Sequence, residues 1–182
     1  MRRIFLFMNI SLDGCVADAN GDISGFHNDF EAFSPGASGE VDTLLFGHKT
    51  YEMMQFWSTP QAVELQPDIA RFMNERQKVV VSHQPFEPGW SKVSVISGDA
   101  MAGVRQLKAG AGKDIIILGS NNLCVSLMQH RLIDEFQLMV NPVVFGGGMP
   151  LFAGLPEKAA LTLKDTRPFK SGAVLLTYAP AA

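Results

Sequence analysis

"DTLLFGHKTYEMM", residues 42–54, carries the reading that decides the fold. An apolar run reaches Gly47, a charged and hydroxylated turn follows, and the next residues have the character of a first helical turn. Strand, glycine, polar turn and helix start make a βα corner, the unit from which open α/β sheets are assembled. Taken alone, Gly47, His48, Lys49 and Thr50 either grip a phosphate or join two elements and nothing more.

Outward from that corner the pattern repeats. Strand-like runs rich in Val, Ile, Leu and Phe occupy 3–10, 42–46, 78–82, 92–96, 114–118, 136–145, 161–166 and 173–179. Helical candidates lie at 49–56, 61–76, 100–109 and 122–130, and Ala62, Leu65, Ile69, Phe72 and Met73 recur at spacings of three and four within 61–76. The early strands alternate with helices, which predicts a parallel core. "VVV" and "DIIIL" are continuously apolar, as strands covered on both faces are. The last third has strands with little helix between them. The chain is therefore read as one α/β domain over residues 1–182, three layers deep. Its mixed central sheet has about eight strands, with helices on both faces and an antiparallel extension at one edge.

Composition excludes several classes. With 47% apolar and 18% charged residues in 182, the chain can bury a core. A net charge of −3 offers no attraction to nucleic acid or to an anionic membrane. Cys15 and Cys124 stand alone and the four histidines are scattered, so no metal site is expected and the thiols fit a reducing, cytoplasmic setting. The basic start "MRR" leads into a first strand, because Asn9, Ser11 and Asp13 break the apolar run an export signal needs. No run approaches the roughly 18 apolar residues of a membrane-spanning helix.

Ligands of open α/β sheets bind beyond the carboxyl ends of the parallel strands. Besides the Gly47 corner, two such ends carry suitable residues. "LGSNNL" (118–123) offers Gly119 and three residues good at capping, Ser120, Asn121 and Asn122; they either hold a pyrophosphate or cap their own helix. Ser82 and His83 follow "KVVV", where they contact a ribose or phosphate or form a polar loop before Pro85. In "HNDFEAF" (27–33), Asp29 beside Phe30 and Phe33 is either a proton donor of raised pKa or an ordinary helix-start carboxylate. "FGGGMPLF" (145–152) reads as a close backbone approach to a ligand or as a tight turn. Nucleotide-triphosphate loop, GxGxxG, GxSxG and HExxH patterns are all absent.

Taken in order, "NISLDGCVA", "DTLLFGHKTYE", "KVVVSHQ", "DIIILGSNNL…NPVVFGGGMPLF" and the closing "GAVLLTY" resemble the dihydrofolate reductase-like superfamily over nearly the whole chain. They look most like the stand-alone form of the reductase domain that ends the bifunctional riboflavin-biosynthesis deaminase/reductase. The resemblance implies a dihydrofolate reductase-like fold and an NADPH-dependent reductase acting on a C=N or C=O group of a small heterocycle. At family level the activity is that of a 5-amino-6-(5-phosphoribosylamino)uracil reductase; a dihydrofolate or pterin reductase and a non-catalytic NADPH-binding module are the alternatives. By position, Gly47, His48, Lys49 and Thr50 match the cofactor phosphate corner, and Ser82 and His83 the adenosine 2′-phosphate segment. Gly119, Ser120, Asn121, Asn122 and Leu123 match the pyrophosphate helix start, Val16 and Ala17 the loop near the nicotinamide, and Asn9 the pocket wall. Asp29 matches the active-site carboxylate. Two departures stand out: His48 occupies a position where such reductases usually have arginine, and no Lys or Arg lies between residues 4 and 48. A homodimer is expected through the late antiparallel strands.

Overall fold

The computed structural model describes residues 1–27 and 41–181. In chain order the elements are β1 (Ile4–Ile10), β2 (Cys15–Ala17), β3 (Val41–Gly47), α1 (His48–Met54), a 3-10 turn (Gln55–Ser58), α2 (Pro60–Leu65), α3 (Pro67–Glu75), β4 (Gln77–Val81) and β5 (Val93–Ile96). There follow α4 (Ala100–Ala109), β6 (Asp114–Leu118), α5 (Asn121–Gln129), β7 (Glu135–Val140), β8 (Met149–Pro150), β9 (Leu161–Pro168) and β10 (Val174–Pro180).

Eight strands form one sheet in the order β5-β4-β3-β6-β1-β7-β10-β9. The six from β5 to β7 are parallel, and β10 and β9 close the edge antiparallel. Strand periodicity divides the side chains between two cores. On β1, Ile4, Leu6, Met8 and Ile10 face one side with Val104 of α4 and Leu123, Cys124 and Leu127 of α5. Phe5 and Phe7 face the other, against Tyr51 of α1 and Phe72 and Met73 of α3. One registered row, Val79–Leu45–Ile117–Leu6–Phe136–Tyr178, crosses six strands on a single face. Slipping any strand by one residue would turn its members out of that core, which is what sets the register. The three-layer dihydrofolate reductase-like fold is thus as the sequence implies.

Two expectations need correction, and a third feature was not anticipated. The helix over 61–76 is two helices, because Pro67 lacks an N–H and drives Gln66 to φ −145°, ψ 76°. Thr59 caps the first of them, accepting from the Ala62 amide at 3.3 Å. The strand expected over 136–145 stops at Val140, where Asn141 and Pro142 end the ladder. Third, a two-stranded sheet, β2 with β8, is an addition that no sequence signal indicated.

This topology locates a crevice. Neighbouring strands β3 and β6 are followed by α1 and α5, which leave for opposite faces of the sheet. Their carboxyl ends therefore diverge around an opening. Among the described residues no helix is long and apolar enough to cross a membrane.

Candidate functional site

The floor of the crevice is a join between two corners. Gly119 (φ 76°) and Ser120 (φ 65°) both adopt left-handed backbone before α5 begins. Gly119 must be glycine twice over, since a Cβ there would stand 2.9 Å from the Thr50 Cγ2. Ser120 occupies the N-cap position of α5 but makes no side-chain cap bond. Its hydroxyl instead accepts from the Gly47 amide at 2.8 Å. Ser120 therefore does not cap its own helix by side chain, contrary to one reading of the sequence; it fastens β3 to β6. Left-handed Ser120 followed by helical Asn121 is the backbone pattern of an anion-binding nest. Asn121 is half-buried, Asn122 exposed, and Leu123 faces inward to the core.

At the outer end, His48 is heavily engaged. Its Nδ1 lies 3.3 Å from the Ser82 Oγ, its ring stacks on Phe86 with centroids 4.4 Å apart, and its Nε2 is 3.6 Å from a Glu52 oxygen. Because the Ser82 hydroxyl donates to the Gln84 carbonyl at 2.7 Å, it is left to accept from Nδ1–H. Lys49 is exposed beside this cluster. His83 is exposed as well and lines a depression of about 500 Å³ with Phe86, Glu87 and Ser97. The structure thus brings His48 and Ser82 together and sets His83 next to them.

At the inner end a cavity of about 440 Å³ opens against β1 and β6. Asn9, Val16 and Gly119 line it, together with Met53, Trp57 and Met139. Ala17 does not line it: the residue is buried in β2. Asp29 lies outside the described residues. Among the described lining side chains His27 alone is titratable, a position sequence reasoning passed over.

Two further residues were missed. Asn141, fully buried, donates through Nδ2 to the Asn9 Oδ1 and the Met139 carbonyl at 3.1 Å each, and accepts from the His27 amide at 2.8 Å. It therefore fixes both polar residues of the cavity. Asp13 accepts from the Ser11 hydroxyl at 2.6 Å and from the Phe145 and Gly146 amides at 3.2 and 2.9 Å. These donors, the Ser11 hydroxyl foremost, hold its carboxyl down at about 2. Asp13 thereby ties the loop after β1 to the glycine run. In that run Gly148 is the close approach: a Cβ would fall 2.2 Å from the Ala17 carbonyl oxygen. "FGGGMPLF" is structural there, pressing on β2. The only sequence signals for either tie were Asp13 in "SLDG" and Asn141 before a proline. Among the described residues no three His, Cys, Asp or Glu side chains are grouped to hold a metal.

Residues 2–175 match the model of the RibD C-terminal domain family. The Bacillus subtilis (strain 168) protein YwjB is 32% identical over 184 residues, covering 99% of both chains. YyaP of the same organism is 29% identical over 178 residues, covering 97% of this chain and 94% of its own. Among solved structures, a Shewanella sp. PV-4 protein named for riboflavin biosynthesis superposes with a TM-score of 0.80 at 21% identity, over 99% of both chains. The Thermotoga maritima diaminohydroxyphosphoribosylaminopyrimidine deaminase/5-amino-6-(5-phosphoribosylamino)uracil reductase gives 0.73 at 15% identity, over 99% of this chain and 57% of that one. Enterococcus faecalis dihydrofolate reductase, solved with NADP(H), gives 0.63 at 16% identity over 99% and 97%.

Proposed function

Because the chain belongs to the RibD C-terminal domain family, a family of riboflavin-pathway-like reductases, we propose that it is an NADPH-dependent reductase acting on a C=N or C=O group of a small planar substrate. The observation that carries this reading is the hydrogen bond from Gly47 to Ser120. It fuses two glycine-bearing corners into one floor that runs from the cavity at Gly119 to the basic rim at Lys49.

The residues present fit a dinucleotide. Gly119 lets a ligand approach the backbone closely, and α5 starts without a side-chain cap, so its first amides can meet a pyrophosphate. Thr50 borders the same floor, and Lys49 is free to reach a phosphate in a way that His48 is not. When bound, NADPH supplies the hydride from its nicotinamide ring. Asn9, pinned by Asn141, and Val16 bound the space where the reacting rings would meet, and most of the wall around it is apolar. Asp29 remains our assignment for the proton. We further propose the homodimer through β9, the outermost strand, whose residues are exposed from Thr162 to Pro168; sedimentation of an edge-proline variant against wild type tests it.

Titration of the protein with NADPH and NADH, followed by calorimetry, tests the cofactor assignment. Tighter NADPH binding supports it, and no binding at millimolar cofactor overturns it. Asp29→Asn should lower turnover and leave NADPH affinity unchanged, while His27→Gln measured alongside shows whether the proton comes from there instead.

A further inference from the structure

We propose, on the premise of the reductase reading, that the substrate is an uncharged, unphosphorylated planar molecule of about two fused rings bearing a conjugated carbonyl or imine. The cavity decides this. Of the sixteen described residues that line it, only Asn9 and His27, with the Trp57 indole N–H, bring polar side-chain atoms. Lys and Arg are absent from the lining. They are equally absent from the sequence between residues 4 and 48, so Ile23, Phe26 and His27 come from a stretch with no cation to lend. A ribose phosphate seated here would bury its dianion with no partner charge, an arrangement proteins avoid.

The wall also has a positive preference. Four of the chain's nine methionines, Met53, Met54, Met73 and Met139, line this one cavity from the side of α1 and α3. Thioethers are polarizable, make favourable contacts with aromatic rings and adapt to different outlines. At about 440 Å³ the cavity is in the lower part of the range for small-molecule sites, roughly 300–1,000 Å³. It must also admit the nicotinamide, and the space beside that ring suits a compact planar partner of about two fused rings. In the reaction the substrate carbon gains a hydride, its oxygen or nitrogen gains a proton, and NADPH leaves as NADP⁺, with no further reactant.

Trp57 sits in the wall and reports occupancy without any turnover. The probes are 2-methyl-1,4-naphthoquinone and 5-amino-6-(5-phosphoribosylamino)uracil, each titrated against tryptophan fluorescence with and without saturating NADP⁺. The expected result is quenching by the naphthoquinone with a Kd at least tenfold lower than that of the phosphoribosyl compound, lost in Trp57→Phe. NADPH oxidation should follow the same order. Equal or tighter binding of the phosphoribosyl compound overturns the proposal, as does a protein that binds NADPH and shows no Trp57 response to the naphthoquinone. Failure to bind NADPH would instead remove the reductase reading, while naphthoquinone quenching without cofactor still reads the cavity's preference.

Discussion

Ser120 offers a test that separates two contributions to one residue. Its hydroxyl satisfies the half-buried Gly47 amide, and its backbone sits at φ 65°, ψ 63°, where a Cβ is unwelcome. Ser120→Ala removes the hydroxyl and keeps the Cβ. Losing one such bond to a half-buried amide costs about 1–2 kcal/mol. Ser120→Gly removes the hydroxyl and the Cβ together. Relief of left-handed strain returns about 1–2 kcal/mol, and the extra freedom of the unfolded chain takes back about 0.4–1 kcal/mol. The glycine variant should therefore be more stable than the alanine variant by about 0.5–1 kcal/mol, with both below wild type or the glycine level with it. At about 2–4 °C per kcal/mol for a chain of this size, Ser120→Ala lowers Tm by about 2–8 °C. Urea unfolding at equal m-values, with thermal melts beside it, measures both differences. Equal stability of the two variants would refute the left-handed assignment. An alanine variant as stable as wild type would refute the claim that the hydroxyl joins the two corners.

Lys49→Ala should raise the Kd for NADPH roughly 1.5-fold to fivefold, as loss of one exposed charge contact does, and flatten its dependence on salt; His48→Ala should do less, because that ring already faces Ser82, Phe86 and Glu52. Calorimetry at two ionic strengths compares them. Lys78, fully buried, donates to the Met73 and Asn74 carbonyls at the end of α3 and lies over the Trp90 ring, and burial lowers its pKa to about 8. The unfolded chain keeps the ordinary value of 10.5 and so holds the proton longer. Stability from this group accordingly rises with pH between about 8 and 10.5. Urea midpoints of wild type should thus improve relative to Lys78→Met from pH 7 to pH 9.5. Asp13 has the same sense in the acid range: its depressed carboxyl stabilises above the ordinary value near 3.8, and the gain is lost as pH falls through about 2. Asp13→Asn should therefore shift acid unfolding to higher pH and speed hydrogen exchange at Gly146.

What could be read from sequence was what depends on near neighbours. "DIIIL" and "KVVV" are strands buried on both faces, and their composition alone says so. Gly47 and Gly119 mark corners by residue type. Periodicity misled at 61–76, because the apolar spacing ran on through Pro67 although the backbone cannot. The ties made by Asp13 to Gly146 and by Asn141 to Asn9 join positions 133 and 132 residues apart, and no local pattern encodes such a partner. The same holds for β2 and β8, strands of three and two residues that exist only against each other. Ser120 was legible as a cap and illegible as a fastener, since the choice depends on where Gly47 arrives.

The two halves of the site are built from different materials, and that difference governs what family membership conveys. The floor is made of backbone: glycines, a left-handed pair and helix amides, with one serine hydroxyl joining them. Side-chain substitution scarcely alters such a surface, so chains that keep the fold can keep the floor. The cavity is made largely of side chains on α1, the 3-10 turn, α3 and β1, and those of Met53 and Phe56 are exposed enough to be exchanged without disturbing the sheet. A relative with arginine at one of these wall positions would hold a phosphate where this chain presents methionine. Membership in the RibD C-terminal domain family therefore carries over the fold and supports the proposal of a cofactor on the floor, while the choice of substrate has to be read from the wall that this chain itself presents.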